Sequence, residues 1–125
     1  MTKDFLKKIE EETSSTIAID FDDVIHKNSK GFYDGTIYDD PIVGTKEALK
    51  FLSEKYNLII FTCKADPDRP LVNGKIGPEL IWEWLEKHNL KEYITEITYY
   101  KPRASYYIDD KSVKFESWKQ VLDEM

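Results

Sequence analysis

The run Thr16-Ile17-Ala18-Ile19-Asp20-Phe21-Asp22-Asp23-Val24-Ile25 constrains this chain more than any other stretch. A short apolar segment from Ile17 to Phe21, bounded by polar residues, predicts a strand covered on both faces, the kind found in parallel sheets. It delivers Asp20, Asp22 and Asp23 where it ends. Carboxylates that close together raise one another's pKa. A bound divalent cation relieves the repulsion, and a hard cation such as Mg²⁺ prefers oxygen ligands. The alternative is a polar exit from strand to loop, where aspartate is common for turn-forming reasons.

A chain of 125 residues suits one compact domain. A hydrophobic share of 41% supplies a core, and 34% charged residues supply a solvated surface. The formal net charge of -6 argues against a general nucleic-acid or membrane binder, although part of it is the aspartate cluster itself. The single cysteine, Cys63, cannot form an internal disulfide, which predicts a reducing compartment. The charged opening from Met1 to Glu12 lacks the apolar core of a signal peptide. No apolar run reaches membrane-spanning length, so a cytoplasmic location with no membrane partner is expected.

Strand and helix patterns alternate from there on. Residues 3–12 predict a short packing helix. A turn-rich stretch over about 26–41, carrying Phe32, Tyr33 and Tyr38, reads as a hairpin or flap. His26, just past the aspartates, fits a surface or hydrogen-bonded residue better than a metal ligand. Gly44-Thr45 opens a helix to about Tyr56, and a second buried strand, Leu58 to Phe61, ends at Thr62-Cys63-Lys64. An irregular, exposed loop covers Ala65 to Ile76, and Gly77-Pro78 starts another helix. Strands follow over Ile94–Thr98 and Ser105–Ile108, the second ending in Asp109-Asp110. Ser117 to Gln120 matches a capping box and begins a last helix. Phe51, Trp84 and Trp118 are expected in the core, Cys63 is expected to be buried, and Lys64 reads equally well as a solvated loop lysine. The fold class is α/β, a Rossmann-like three-layer sandwich with a central parallel sheet, one domain over residues 1–125 and no large cap.

Open parallel sheets bind ligands beyond the carboxyl ends of their strands. There stand Asp20, Asp22 and Asp23, then Thr62 and Lys64, then Lys101 shortly before the last strand, then Asp109 and Asp110. Carboxylates from two strands can hold Mg²⁺ while a hydroxyl and an ammonium grip a phosphate. One carboxylate can attack phosphorus, and another can move the proton of the leaving group.

The order Asp20-Phe21-Asp22-Asp23-Val24, Thr62, Lys101 and Asp109-Asp110 resembles the four motifs of the haloacid dehalogenase superfamily of phosphohydrolases, from Thr16 to about Lys111. That resemblance implies Asp20 as nucleophile and Asp22 as general acid/base. It implies Thr62 and Lys101 as phosphate ligands. It implies a Mg²⁺ held by Asp20, the Asp22 backbone carbonyl and Asp109, with Asp110 as a second metal-site carboxylate. Asp23 stands where many members carry glycine. The implied function is a Mg²⁺-dependent phosphatase acting through an aspartyl-phosphate.

Two rival readings use the same residue types, a phosphoacceptor receiver-like signalling domain and a catalytically silent binding module. A receiver places its acidic pair after the first strand and its acceptor aspartate on a middle strand, where this chain has Thr62. Without a cap, the site suits a phosphate on a large molecule, such as a nucleic-acid end. It equally suits a small nucleotide or sugar phosphate covered by a second subunit of a homodimer.

Overall fold

The computed structural model describes residues 16–31, 34–109 and 117–124. In chain order its elements are β1 (Thr16–Asp20), α1 (Thr45–Ser53), β2 (Asn57–Phe61), a 3-10 turn (Cys63–Ala65) and α2 (Gly77–Lys87). A second 3-10 turn (Lys91–Tyr93), β3 (Glu96–Thr98), β4 (Tyr106–Ile108) and α3 (Trp118–Glu124) follow. The expected helix over residues 3–12 lies outside the described residues. The strands form one all-parallel sheet in the order β3-β2-β1-β4.

β1 is the inner strand that carries the site. Ile17, Ala18 and Ile19 are completely buried, and because successive side chains point to opposite faces, both faces of β1 are covered. The register sets Asp20 beside Phe61 of β2 and Ile19 beside Ile108 of β4. The strand ends at Asp20 rather than Phe21, because the Phe21 carbonyl turns to accept the amides of Ile25 and His26, both at 2.9 Å. Phe21, Val24 and Ile25 stay fully buried within that turn.

The helices follow their apolar spacing. α1 buries Ala48, Leu49 and Leu52 and stops at Ser53, short of the expected Tyr56, whose amide instead closes a turn onto the Leu52 carbonyl at 2.8 Å. Phe51, expected in the core, is 49% exposed; at about 100° per residue it falls off the stripe of Thr45, Ala48, Leu49 and Leu52 on the helix wheel and points to solvent. α2 starts on Gly77-Pro78 and buries Ile81, Trp84 and Leu85, with Trp82 packed at the flank of the core. Its end is a Schellman motif. Asn89 adopts φ 58, the Leu90 amide reaches the Leu85 carbonyl at 2.8 Å, and the Asn89 amide reaches Glu86 at 3.1 Å. β3 and β4 are shorter than expected, three residues each. The Ser117 side chain accepts the Gln120 amide at 3.1 Å, as the capping pattern predicts, and Trp118 ties α3 to α1 by donating to the Thr45 hydroxyl at 3.0 Å.

The 26–41 stretch has a hairpin-like base. His26 bridges to Pro41, the Lys27 amide donates to the Asp40 carbonyl at 3.1 Å, and Ile42 donates to Ile25 at 2.9 Å. Phe32 and Tyr33 lie outside the described residues. Tyr38 packs inward, edge-on to the His26 ring at 5.2 Å, and its hydroxyl takes the Lys30 amide at 2.7 Å. Asp39 ties the loop to itself. Hydrogen bonds from the Ser29 hydroxyl and then the Ser29 amide hold its carboxyl down at about 2.

A depressed folded value means that this tie stabilises fully above the unfolded value near 3.8 and is lost as pH falls toward about 2. Ser29→Ala should therefore raise the Asp39 pKa toward that of an ordinary aspartate, read by carboxyl NMR. It should lower stability at pH 7, with the gap to wild type closing near pH 2. A gap independent of pH would refute the tie.

Candidate active site

The sheet gathers four of the expected residues at its carboxyl edge. Asp20 ends β1, and its Oδ1 accepts the Phe21 amide at 2.8 Å. One step past the Asp20–Phe61 pair, β2 delivers Thr62, buried, with its amide on the Thr98 carbonyl at 2.9 Å. One step past the Ile19–Ile108 pair, Asp109 arrives beside Asp20, nearly buried. Lys101 comes from the segment between β3 and β4, half exposed, with Nζ 3.5 Å from Asp109 Oδ2 and 4.4 Å from the Tyr107 ring centre. Asp20 thus has Phe61 across from it on β2, with Thr62 one residue further on, and the lysine–aspartate pair on the β4 side. Asp110 lies outside the described residues.

Asp22 faces another set of partners. It sits in the turn after β1, where Asp23 adopts φ 68. This is the left-handed conformation that glycine takes freely and that aspartate tolerates better than most residues, so the departure from glycine leaves the turn intact. The turn brings His26 back onto Asp22, with Nδ1 2.8 Å from Oδ1. The His26 Nε2 accepts the Asp39 amide at 3.1 Å, so the ring proton sits on Nδ1 and is donated to Asp22. His26 is completely buried and stacks on Phe21; the surface alternative for it does not hold.

Lys64 is the residue that sequence reasoning passed over. Its side chain is 10% exposed and its Nζ stands 2.6 Å from Asp22 Oδ2, so it is not a solvated loop lysine. Two neighbours hold it there. The Thr62 hydroxyl accepts the Lys64 amide at 3.3 Å, and Gly77 packs so closely that a Cβ there would lie 1.5 Å from the Lys64 carbonyl oxygen. Cys63, expected to be buried, is exposed, because the 3-10 turn directs the neighbouring Ala65 inward instead. The only local signal for Lys64 was its place two residues after a strand-end threonine.

Burial alone would push the Asp22 carboxyl up, but hydrogen bonds from His26 and Lys64, with the Lys64 charge, outweigh it and hold the group below the ordinary aspartate value. The same two donors occupy both carboxylate oxygens. Among the described residues no three His, Cys, Asp or Glu side chains converge on one point. Asp20 and Asp109, level with each other on neighbouring strands, are oxygen donors of the kind a hard cation takes.

Comparison with protein-family models, with curated proteins and with solved structures returns no match in any of the three. Among the described residues no helix is long and apolar enough to cross a membrane.

Lys64→Met removes one hydrogen bond and the adjacent charge from Asp22. Its pKa should rise in the ligand-free protein, as followed by carboxyl NMR; an unmoved titration would dismiss Lys64 as its partner.

Proposed function

We propose that this chain is a phosphomonoester hydrolase that works through an aspartyl-phosphate on Asp20 and requires Mg²⁺ or a similar hard cation. The observation that carries the reading is the gathering of Asp20, Thr62 and the Lys101–Asp109 pair at the carboxyl ends of three adjacent strands. We infer with it a Rossmann-like three-layer domain without a large cap, in which substrate reaches the strand tips directly.

In the first step an Asp20 carboxylate oxygen forms a bond to phosphorus as the bond to the leaving oxygen breaks. The leaving oxygen takes the proton of Asp22. In the second step Asp22 takes a proton from water as the water oxygen bonds to phosphorus and the Asp20–phosphorus link breaks. The Thr62 hydroxyl, whose oxygen already accepts the Lys64 amide, donates to a phosphoryl oxygen, and the Lys101 ammonium pairs with another. Asp20, Asp109 and the Asp22 carbonyl would hold the Mg²⁺, which would supply charge neutralisation at the phosphoryl oxygens.

Asp22 must be protonated for the first step, yet Lys64 and His26 favour its carboxylate in the free protein. An arriving phosphate dianion opposes them, since a like charge nearby raises a carboxyl pKa. The acid therefore forms only with substrate in place.

Asp20→Asn should reduce turnover by about a thousandfold or more, because an amide is a poor nucleophile, while the melting temperature stays within a few degrees. Mass spectrometry of quenched wild-type reactions should locate the phosphoryl group on Asp20; finding it on another residue would sink the assignment. Activity should also disappear in excess EDTA and return with Mg²⁺. Undiminished phosphate release in EDTA would exclude the cation requirement.

A further inference from the structure

A cavity of about 220 Å³ opens between the 34–37 stretch of the loop and the 69–72 segment, against the first turn of α2. Ile37, Pro70, Val72 and Leu80 form its apolar wall. A cavity of about 150 Å³ takes a benzene ring, so this one has room for a single ring or a single sugar.

Three charged side chains also line it, Lys64, Arg69 and Asp34. All three have contacts within the protein: Lys64 pairs with Asp22, the Asp34 carboxylate takes the amide and hydroxyl of Thr36, and Arg69 has a neighbour of its own. Arg69 has five N–H donors in a fixed fork, enough to serve a neighbour in the protein and an anion as well. Its backbone is set by a turn, with the Arg69 amide on the Asp66 carbonyl at 3.1 Å and the Asp68 amide on Asp66 Oδ1 at 2.9 Å.

The reaction proposed above requires the leaving oxygen to lie within reach of Asp22. Lys64 pairs with Asp22 at 2.6 Å and is among the residues that line this cavity, so one residue joins the cavity to the carboxyl that the leaving oxygen must reach. Resting on that reading, we propose that the cavity receives the leaving group of the phosphomonoester. That group is a compact alcohol of one ring or one sugar, with a second anion, carboxylate or phosphate, gripped by Arg69. A long polymer end would leave the apolar wall unused and the Arg69 fork unmatched.

The test compares phenyl phosphate with 3-carboxyphenyl phosphate, both with Mg²⁺. Wild type should favour the carboxylated ester in kcat/KM by about tenfold, the order expected for a charge-assisted hydrogen bond. Arg69→Gln should bring that ratio close to one, and Arg69→Lys should restore part of it, with melting temperatures checked for each. Calorimetric titration of the same two esters into Asp20→Asn, with and without Arg69→Gln, reads binding apart from turnover. Hydrolysis with a ratio indifferent to Arg69 overturns the cavity and leaves the phosphatase standing. Arg69-dependent binding in a protein whose wild type hydrolyses neither ester does the reverse. Neither hydrolysis nor Arg69-dependent binding rejects both.

Discussion

Parallel pairing of β1 with β2 on one edge and with β4 on the other fixes the relative placement of the strand-end residues of the site. Neighbouring strands lie about 4.8 Å apart, so Asp109 falls level with Asp20 on one side, and on the other Phe61 faces Asp20 with Thr62 one residue further on. A slip of one residue would turn each of these side chains to the opposite face of the sheet. Complete burial of Ile17, Ala18 and Ile19 resists such a slip, because both faces of β1 are packed and neither can exchange its contents with solvent. The hydrophobic core therefore sets the placement of the carboxylates, although none of its side chains has a polar atom to contribute.

A second constraint governs Asp22. It hangs from the turn after β1 and is clasped by a lysine from the far end of β2 and a histidine four residues on. The histidine is itself oriented by the amide of Asp39, across the base of the loop. Three separate segments thus agree on the position of one carboxylate. Gly77 completes the arrangement from behind, since its missing side chain lets α2 seat directly on the Lys64 backbone.

Much of this was legible in the residues themselves. The all-parallel α/β sheet follows from apolar runs alternating with helical spacing, and the strand-end positions of Asp20, Thr62 and Asp109 follow from where those runs stop. Tertiary partnerships were not legible. Nothing local to Lys64 shows that its ammonium returns to a carboxylate 42 positions earlier. Nothing local to His26 shows that Phe21, Tyr38 and Trp84 enclose its ring. Phe51 and Cys63 failed in the opposite sense. Hydrophobic character suggested burial, while one helix wheel and one 3-10 turn direct them outward. Side-chain type reported the chemistry available, and only packing assigned its direction.

Trp84 has a mechanical consequence for the loop over 26–41. Its indole stands edge-on to Phe21 and His26, and its Nε1 donates to the Asp39 carbonyl at 2.9 Å. Swinging the loop away as a door would exchange that hydrogen bond for one to water, a net loss of about 0.5–1.5 kcal/mol, and would uncover the ring of a fully buried histidine. The base of the loop is therefore braced from two sides, by a helix through Trp84 and by the turn after β1 through Ile25 and Lys27, and any motion of the loop is confined to the stretch beyond that base.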